Sequence, residues 1–152
     1  MKYKVEARVI ESFQVAFMKY EGKIAEANEF FPSVFKSVRG KSNGAPLFNF
    51  LKINSEKKEG IMELCVPTSE LPIGNAIRTK KMKSFRAICT THIGSYDTLQ
   101  NAYHAMYEFA QKNKVALSVT GIREVYIKGP GMFLKGNPDK YITEIQIPVV
   151  EK

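Results

Sequence analysis

In several stretches of the chain apolar and polar residues alternate with period two, and in two others the apolar residues return every three or four positions instead. Residues 7–20 are rich in β-branched and aromatic side chains. Phe13, Val15 and Phe17 alternate there with Gln14, Ala16 and Met18, which predicts a first strand covered on both faces. Beyond Gly22, Ile24, Ala27, Phe31, Phe35 and Val38 recur at helical spacing, and Pro32 must kink that helix or start its second part. Residues 40–46, rich in Gly, Asn and Pro, predict a loop. Residues 47–53 and 60–66 follow as two strands joined through the charged turn 54–59, a hairpin.

The second half repeats this order. Residues 85–92 predict a strand, and 95–112 a helix with Leu99, Ala102, Tyr103, Met106, Phe109 and Ala110 on one stripe. Residues 122–128 and 141–149 are two more strands, separated by a long loop over 129–139 expected to be mobile. The halves also match residue by residue: Ile61, Glu63, Pro67 and Glu70 align with Ile142, Glu144, Pro148 and Glu151. At other offsets Phe13 and Gly22 match Phe85 and Gly94, and Phe50 matches Tyr126. The expected fold is therefore α+β, a duplicated β-α-β-β unit with halves at about 7–70 and 84–151. One unit alone would leave a sheet face and an edge uncovered. Two should associate about a pseudo-twofold as an antiparallel sheet, with the two main helices on one face and a ligand cleft between the halves. Residues 70–84 would be the crossover, and 1–152 a single domain with no DNA-binding domain, because the first strand begins close to Met1.

Composition narrows the function. The 152 residues are 44% hydrophobic and 25% charged, an ordinary globular balance, and no apolar run reaches the length of a signal core or membrane span. A cytoplasmic protein without membrane association is expected. The net charge of +8 admits nucleic acid or another anionic partner. Its densest cluster, residues 78–83, falls in the crossover without interleaved aromatics, and reads as a solvated linker that does not favour direct nucleic-acid binding. Cys65 and Cys89 stand far apart in apolar runs and form no metal-ligand spacing with His92 or His104, so they read as small buried hydrophobes, with no metal and no cofactor expected. The sequence lacks a nucleophile elbow, a phosphate loop, a dinucleotide fingerprint and a zinc-protease motif. Ten Phe and seven Tyr, without Trp, are a heavier aromatic load than core filling demands.

Two places combine aromatics with polar chemistry. In strand 122–128, alternation puts Glu124 and Tyr126 on one face with Ile122, and Val125 and Ile127 on the other with Arg123. If the two apolar residues face the helix layer, Glu124 and Tyr126 look to the opposite side. Phe48 and Phe50 hold the equivalent place in the first half, giving an asymmetric aromatic cleft with one acid. The plainer possibility is a solvated Glu124 paired with Lys128 or Arg123. In the turn from His92 to Tyr96, Gly94 gives backbone freedom, Ser95 is a candidate helix N-cap and Asp97 suits the first turn. His92 alternates with Thr90 and Ile88, as a hydrogen-bonded histidine at a strand end would.

His92-x-Gly94-x-Tyr96 opening a helix, Glu124-x-Tyr126 with Pro130 soon after, and a last strand Thr143-Glu144-Ile145-Gln146-Ile147-Pro148 together resemble the DNA-gyrase-inhibitor-like (GyrI-like) family. Its relatives include the effector-binding domains of bacterial multidrug-responsive transcription activators. The likeness extends over essentially the whole chain. It implies a cleft lined by aromatics and floored by one acid that recognises lipophilic cations. By motif the acid is Glu124, with Tyr126 and Tyr96 as cleft aromatics and His92 beside them. Tyr141, Phe48, Phe50 and Phe17 join from the repeat alignment or strand geometry. The implied function is a stand-alone module capturing lipophilic, cationic or aromatic small molecules in transcription regulation or resistance, with a separate DNA-binding regulator or gyrase as possible protein partner. The alternatives are a hydrolase opening strained cyclopropane rings, with Glu124 and Tyr126 catalytic, and a gyrase-modulating interaction protein.

Overall fold

A computed structural model describes residues 2–129 and 137–150; Pro130 and most of the loop expected at 129–139 lie outside the described residues. The fold class is α+β, with strands β1 (Glu6–Ile10), β2 (Phe13–Lys23), β3 (Leu47–Asn54), β4 (Glu59–Pro67), β5 (Arg78–Met82), β6 (Phe85–Ile93), β7 (Ile122–Lys128) and β8 (Ile142–Pro148). The helices are α1 (Phe31–Ser37) and α2 (Leu99–Lys112). Two compact units divide these elements, one holding β2–β5 with α1, the other β1 and β6–β8 with α2. No helix among the described residues is long and apolar enough to cross a membrane.

In the first unit the strand order is β3-β4-β2-β5, every pair antiparallel. β4 lies between two partners with both faces covered, which is why residues 61–66 form an almost unbroken apolar run. Helix α1 is preceded by a 3-10 turn over Ile24–Phe30, and Pro32 sits in its first turn, where a missing N–H leaves nothing unsatisfied. Proline thus starts the second part of the helical stretch rather than kinking a continuous helix. Ala27, Phe31 and Val34 bury against the sheet, with the Phe31 ring stacked on Phe48 at 5.3 Å and 8°.

The second unit has the order β1-β6-β8-β7, again antiparallel throughout. Helix α2 buries Leu99, Ala102, Met106 and Ala110, the stripe its periodicity marks, and packs on β6. Both cysteine side chains are buried, as small hydrophobes would be. The pairings of the two units correspond closely. Phe48 faces Leu64 and Phe50 faces Met62, as Glu124 faces Ile145 and Tyr126 faces Thr143. The register then slips once in each, after Phe50 and after Tyr126.

Three expectations are corrected. Residues 7–20 are not one strand: the chain breaks at Glu11 and Ser12, β1 pairs with β6, and β2 belongs to the other unit. The basic stretch 78–83 is not a solvated linker, because Arg78–Met82 forms β5 on the open edge of β2, with Met82 buried. There Lys80 forms an ion pair with Glu63 and lies over the Phe17 ring at 4.7 Å, while Asn49 donates to the same carboxylate. Finally, α2 begins at Leu99 behind a 3-10 turn over Tyr96–Thr98, and the Ser95 side chain caps nothing.

Candidate functional site

The chemistry of the second unit gathers around Glu124. Both carboxylate oxygens accept a phenol hydrogen bond: Oε2 from Tyr103 on α2 at 2.5 Å, and Oε1 from Tyr126, two residues along β7, at 2.7 Å. A bond to α2 means that Glu124 and Tyr126 face the helix, opposite to the expectation from Val125 and Ile127. Tyr103 supplies the reason, since a hydroxyl among the aliphatic stripe of α2 gives a polar strand residue a partner. Ile127, on the other face, is 54% exposed. Glu124 is paired with neither Lys128 nor Arg123; no ion pair among the described residues reaches it. The Arg123 guanidinium instead lies 4.1 Å over the Phe85 ring.

Desolvation raises the Glu124 pKa above the ordinary carboxyl range, and the two phenols, by donating to the charged form, pull partly against that rise. The residue is only half-buried, so it is desolvated and yet keeps surface of its own. Burial, with the Glu124 charge beside them, pushes the Tyr103 and Tyr126 phenols well above their usual range. Both therefore remain proton donors at any physiological pH.

A second aromatic layer adjoins Tyr126. The Tyr96 ring stands edge-on to Tyr126 at 5.7 Å and tilted against Tyr141 at 5.2 Å. Tyr96 is exposed and Tyr141 buried, so the group grades from an outer ring to an inner one. Partial desolvation, with Tyr141 and the Glu124 charge beside it, also raises the Tyr96 pKa. Tyr96 is carried by the turn after β6, which Gly94 makes possible at φ +136°, and Gly94 N–H donates to the Tyr141 carbonyl at 2.9 Å. Its hydroxyl rests against Gly129, where a Cβ would lie 2.8 Å from it. Gly129→Ala is therefore expected to displace the Tyr96 ring, and Tyr96→Phe, lacking the clashing oxygen, to accept alanine there without further change. Fluorine NMR of 3-fluorotyrosine-labelled protein checks the first half, and melting temperatures of the single and double variants the second.

The structure thus brings together Glu124, Tyr126, Tyr96 and Tyr141. His92 is close by but 2% exposed, with both ring nitrogens engaged. Phe48, Phe50 and Phe17 belong to the other unit. Phe48 and Phe50 pack edge to face at 5.8 Å in its core, and Phe17 lies on the opposite sheet face beneath Lys80. Tyr103 is the residue sequence reading missed as part of the site. It fell inside an apolar stripe, and its one signal was being the only hydroxyl-bearing residue there. The exposed Tyr107 ring stacks on it at 6.4 Å.

A family model described as the GyrI-like small molecule binding domain matches residues 3–150. Among solved structures, the EcmrR C-terminal domain superposes with a TM-score of 0.83 at 22% identity, covering 100% of both chains. The chain spans 58% of the EcmrR chain in its complex with DNA. A hydrolase from Listeria innocua gives a TM-score of 0.70 at 12% identity, over 97% of this chain and 92% of that one. SAV2435 bound to tetraphenylphosphonium gives 0.57 at 15%, over 99% and 94%. No curated protein matches the sequence.

Proposed function

The chain belongs to the GyrI-like small-molecule binding domains, and we propose that it captures lipophilic cations, aromatic ones above all, at Glu124. One observation carries this reading: Glu124, a half-buried residue, holds a desolvated carboxylate with no basic counter-ion among the described residues, next to the rings of Tyr96 and Tyr126. A desolvated negative charge held only by neutral donors gains most from an arriving cation. Each ring face presented to that cation adds about 0.5–2 kcal/mol. A delocalised or fully alkylated cation suits the arrangement, since both carboxylate oxygens already accept hydrogen bonds. SAV2435, which shares the fold, is described with such a cation bound. In this reading the chain serves as the sensing part of a regulator, or as a sequestering protein in resistance.

Calorimetric titration with tetraphenylphosphonium, against neutral triphenylphosphine oxide, tests the proposal. Glu124→Gln should weaken the cation at least tenfold and leave the neutral compound within about threefold. Because only the ionised carboxylate attracts a cation, affinity should also fall by up to about tenfold per pH unit once the pH drops below the Glu124 pKa. No binding by wild type, or an unaffected Glu124→Gln, would overturn the reading.

A hydrolytic reading of the same site draws on the phenol-bridged carboxyl, and on the Listeria innocua hydrolase of this fold. Glu124 would take a proton from water as the oxygen attacks a strained cyclopropane carbon, and Tyr126 would protonate the leaving carbon or stabilise its charge. Its signature is loss of a cyclopropane-bearing alkylator beyond one equivalent, abolished in Glu124→Ala.

A further inference from the structure

His92 lies directly behind the turn that carries Tyr96, and its ring is gripped from both sides. Its Nε2 is 3.0 Å from the Ser95 carbonyl oxygen, which can only accept, so the proton resides on Nε2. Thr98 Oγ1, at 3.2 Å from the same nitrogen, closes the turn by also donating to the Ser95 carbonyl. Nδ1 is left as an acceptor, and the Tyr3 hydroxyl meets it at 2.7 Å, with the Tyr3 ring stacked on the imidazole at 5.9 Å and 25°. A second bond, from Thr90 Oγ1 to the Lys4 carbonyl at 2.8 Å, fastens the same segment one step along β6. The contacts form an unbroken series from Tyr3 through His92 and the Ser95–Thr98 turn to Tyr96, whose ring bears on Tyr126, itself bonded to Glu124.

We infer that His92 is a positioning residue of the ligand site: without touching a ligand, it sets where the Tyr96 ring stands, and Tyr3 sets His92. This rests on the reading of the Glu124 site as a ligand site. It adds that occupancy there and docking of the segment before β1 are coupled. The coupling is reciprocal, so whatever strengthens the hold of Tyr3 on His92 tightens ligand binding, and a bound ligand tightens that hold. A protein element attached ahead of β1, or a partner that captures this segment, would thereby sense the ligand. The two states are Tyr3 docked on His92 and Tyr3 released, and they differ in how firmly the uncapped turn holds Tyr96.

Tyr3→Phe is the informative variant, since it keeps the stacked ring and removes only the hydroxyl that meets Nδ1. Two measurements apply it, each with its own control. In wild type, tetraphenylphosphonium should slow hydrogen exchange at the backbone amides of residues 4–10 at least fivefold, and Tyr3→Phe should weaken the cation about threefold or more while shifting the melting temperature by less than 3 °C. Independently of any ligand, the 3-fluorotyrosine signal of Tyr96, assigned with Tyr96→Phe, should move or broaden in Tyr3→Phe. A Tyr96 signal unmoved in Tyr3→Phe overturns the inference, whether or not the cation binds. So do unchanged exchange and unchanged affinity where wild type binds through Glu124. Failure of wild type to bind, with the Tyr96 signal still responding to Tyr3→Phe, would instead sink the ligand class and leave the positioning role of His92 standing.

Discussion

Replacing Glu124 by glutamine is expected to stabilise the protein at neutral pH and to leave stability unchanged near pH 4. Burial raises the carboxyl's pKa in the folded chain, so the folded state holds its proton more tightly than the unfolded one. Wild type is then most stable below the unfolded carboxyl's titration. It loses stability as the pH rises from there through the folded pKa, and changes no further above it. Each pH unit between the two titrations is worth about 1.4 kcal/mol. Glutamine has no such titration. Its amide oxygen can accept from one phenol while its NH2 donates to the other phenol oxygen, so neither Tyr103 nor Tyr126 is stranded. Melting temperatures of both proteins followed from pH 4 upward should diverge in favour of the variant until the folded carboxyl has titrated, and then keep a constant difference. A variant equally weakened at every pH would mean that the two phenol bonds outweigh desolvation. The expected trade, stability against cation affinity, is the mark of a site preorganised for a charge it does not itself contain.

The other large effect is expected in the first unit, on the sheet face that carries Phe17. Lys80→Met should destabilise the protein by about 2–3 kcal/mol, because the Glu63 side chain, only 10% exposed, loses its cation and keeps Asn49 alone as donor. The figure lies below that of a fully buried pair because the Lys80 side chain is itself 33% exposed. Glu63→Gln in the same background should recover most of the loss by removing the stranded charge. Urea unfolding of wild type and the two variants measures both steps. A loss under about 0.5 kcal/mol would mean that the pair contributes little and that β5 is held by its backbone pairing with β2 alone.

Much of the architecture is legible from hydrophobic pattern. The β3–β4 hairpin, the strands of the second half and the buried stripe of α2 all follow from apolar spacing, because their interiors are filled by aliphatic residues whose only requirement is burial. Segments stabilised in other ways escape that reading. β5 has one buried apolar side chain and is held by backbone pairing to β2, a lysine stem over Phe17 and a carboxylate partner, none of which leaves a periodic trace. The division of residues 7–20 is hidden because both pieces read as strand and only Glu11 and Ser12 part them. The face of Glu124 is misread for a related reason. The rule that apolar residues turn toward a helix presumes an apolar helix surface, whereas Tyr103 presents a hydroxyl at that spot. Family motifs locate Glu124, Tyr126 and Tyr96, and the repeat alignment adds Tyr141, but Tyr103 belongs to no motif and its bond to Glu124 joins two elements with no fixed sequence spacing.

The break at Glu11 and Ser12 also bears on the order in which the molecule is assembled. β1 is made first, yet its partner β6 lies beyond the whole of the unit holding β2–β5, so as the chain is synthesised β1 must wait unpaired while β2–β5 emerge. Closing such a long loop is slow for a disordered chain and easier once the intervening residues have folded into a compact body that brings Ile10 and Phe85 near each other. The β2–β5 unit is thus in the position of an insertion in its neighbour, folding first so that the other can close around β1. A released fragment ending before Phe85 should already protect β2–β5 from proteolysis and leave β1 open to it.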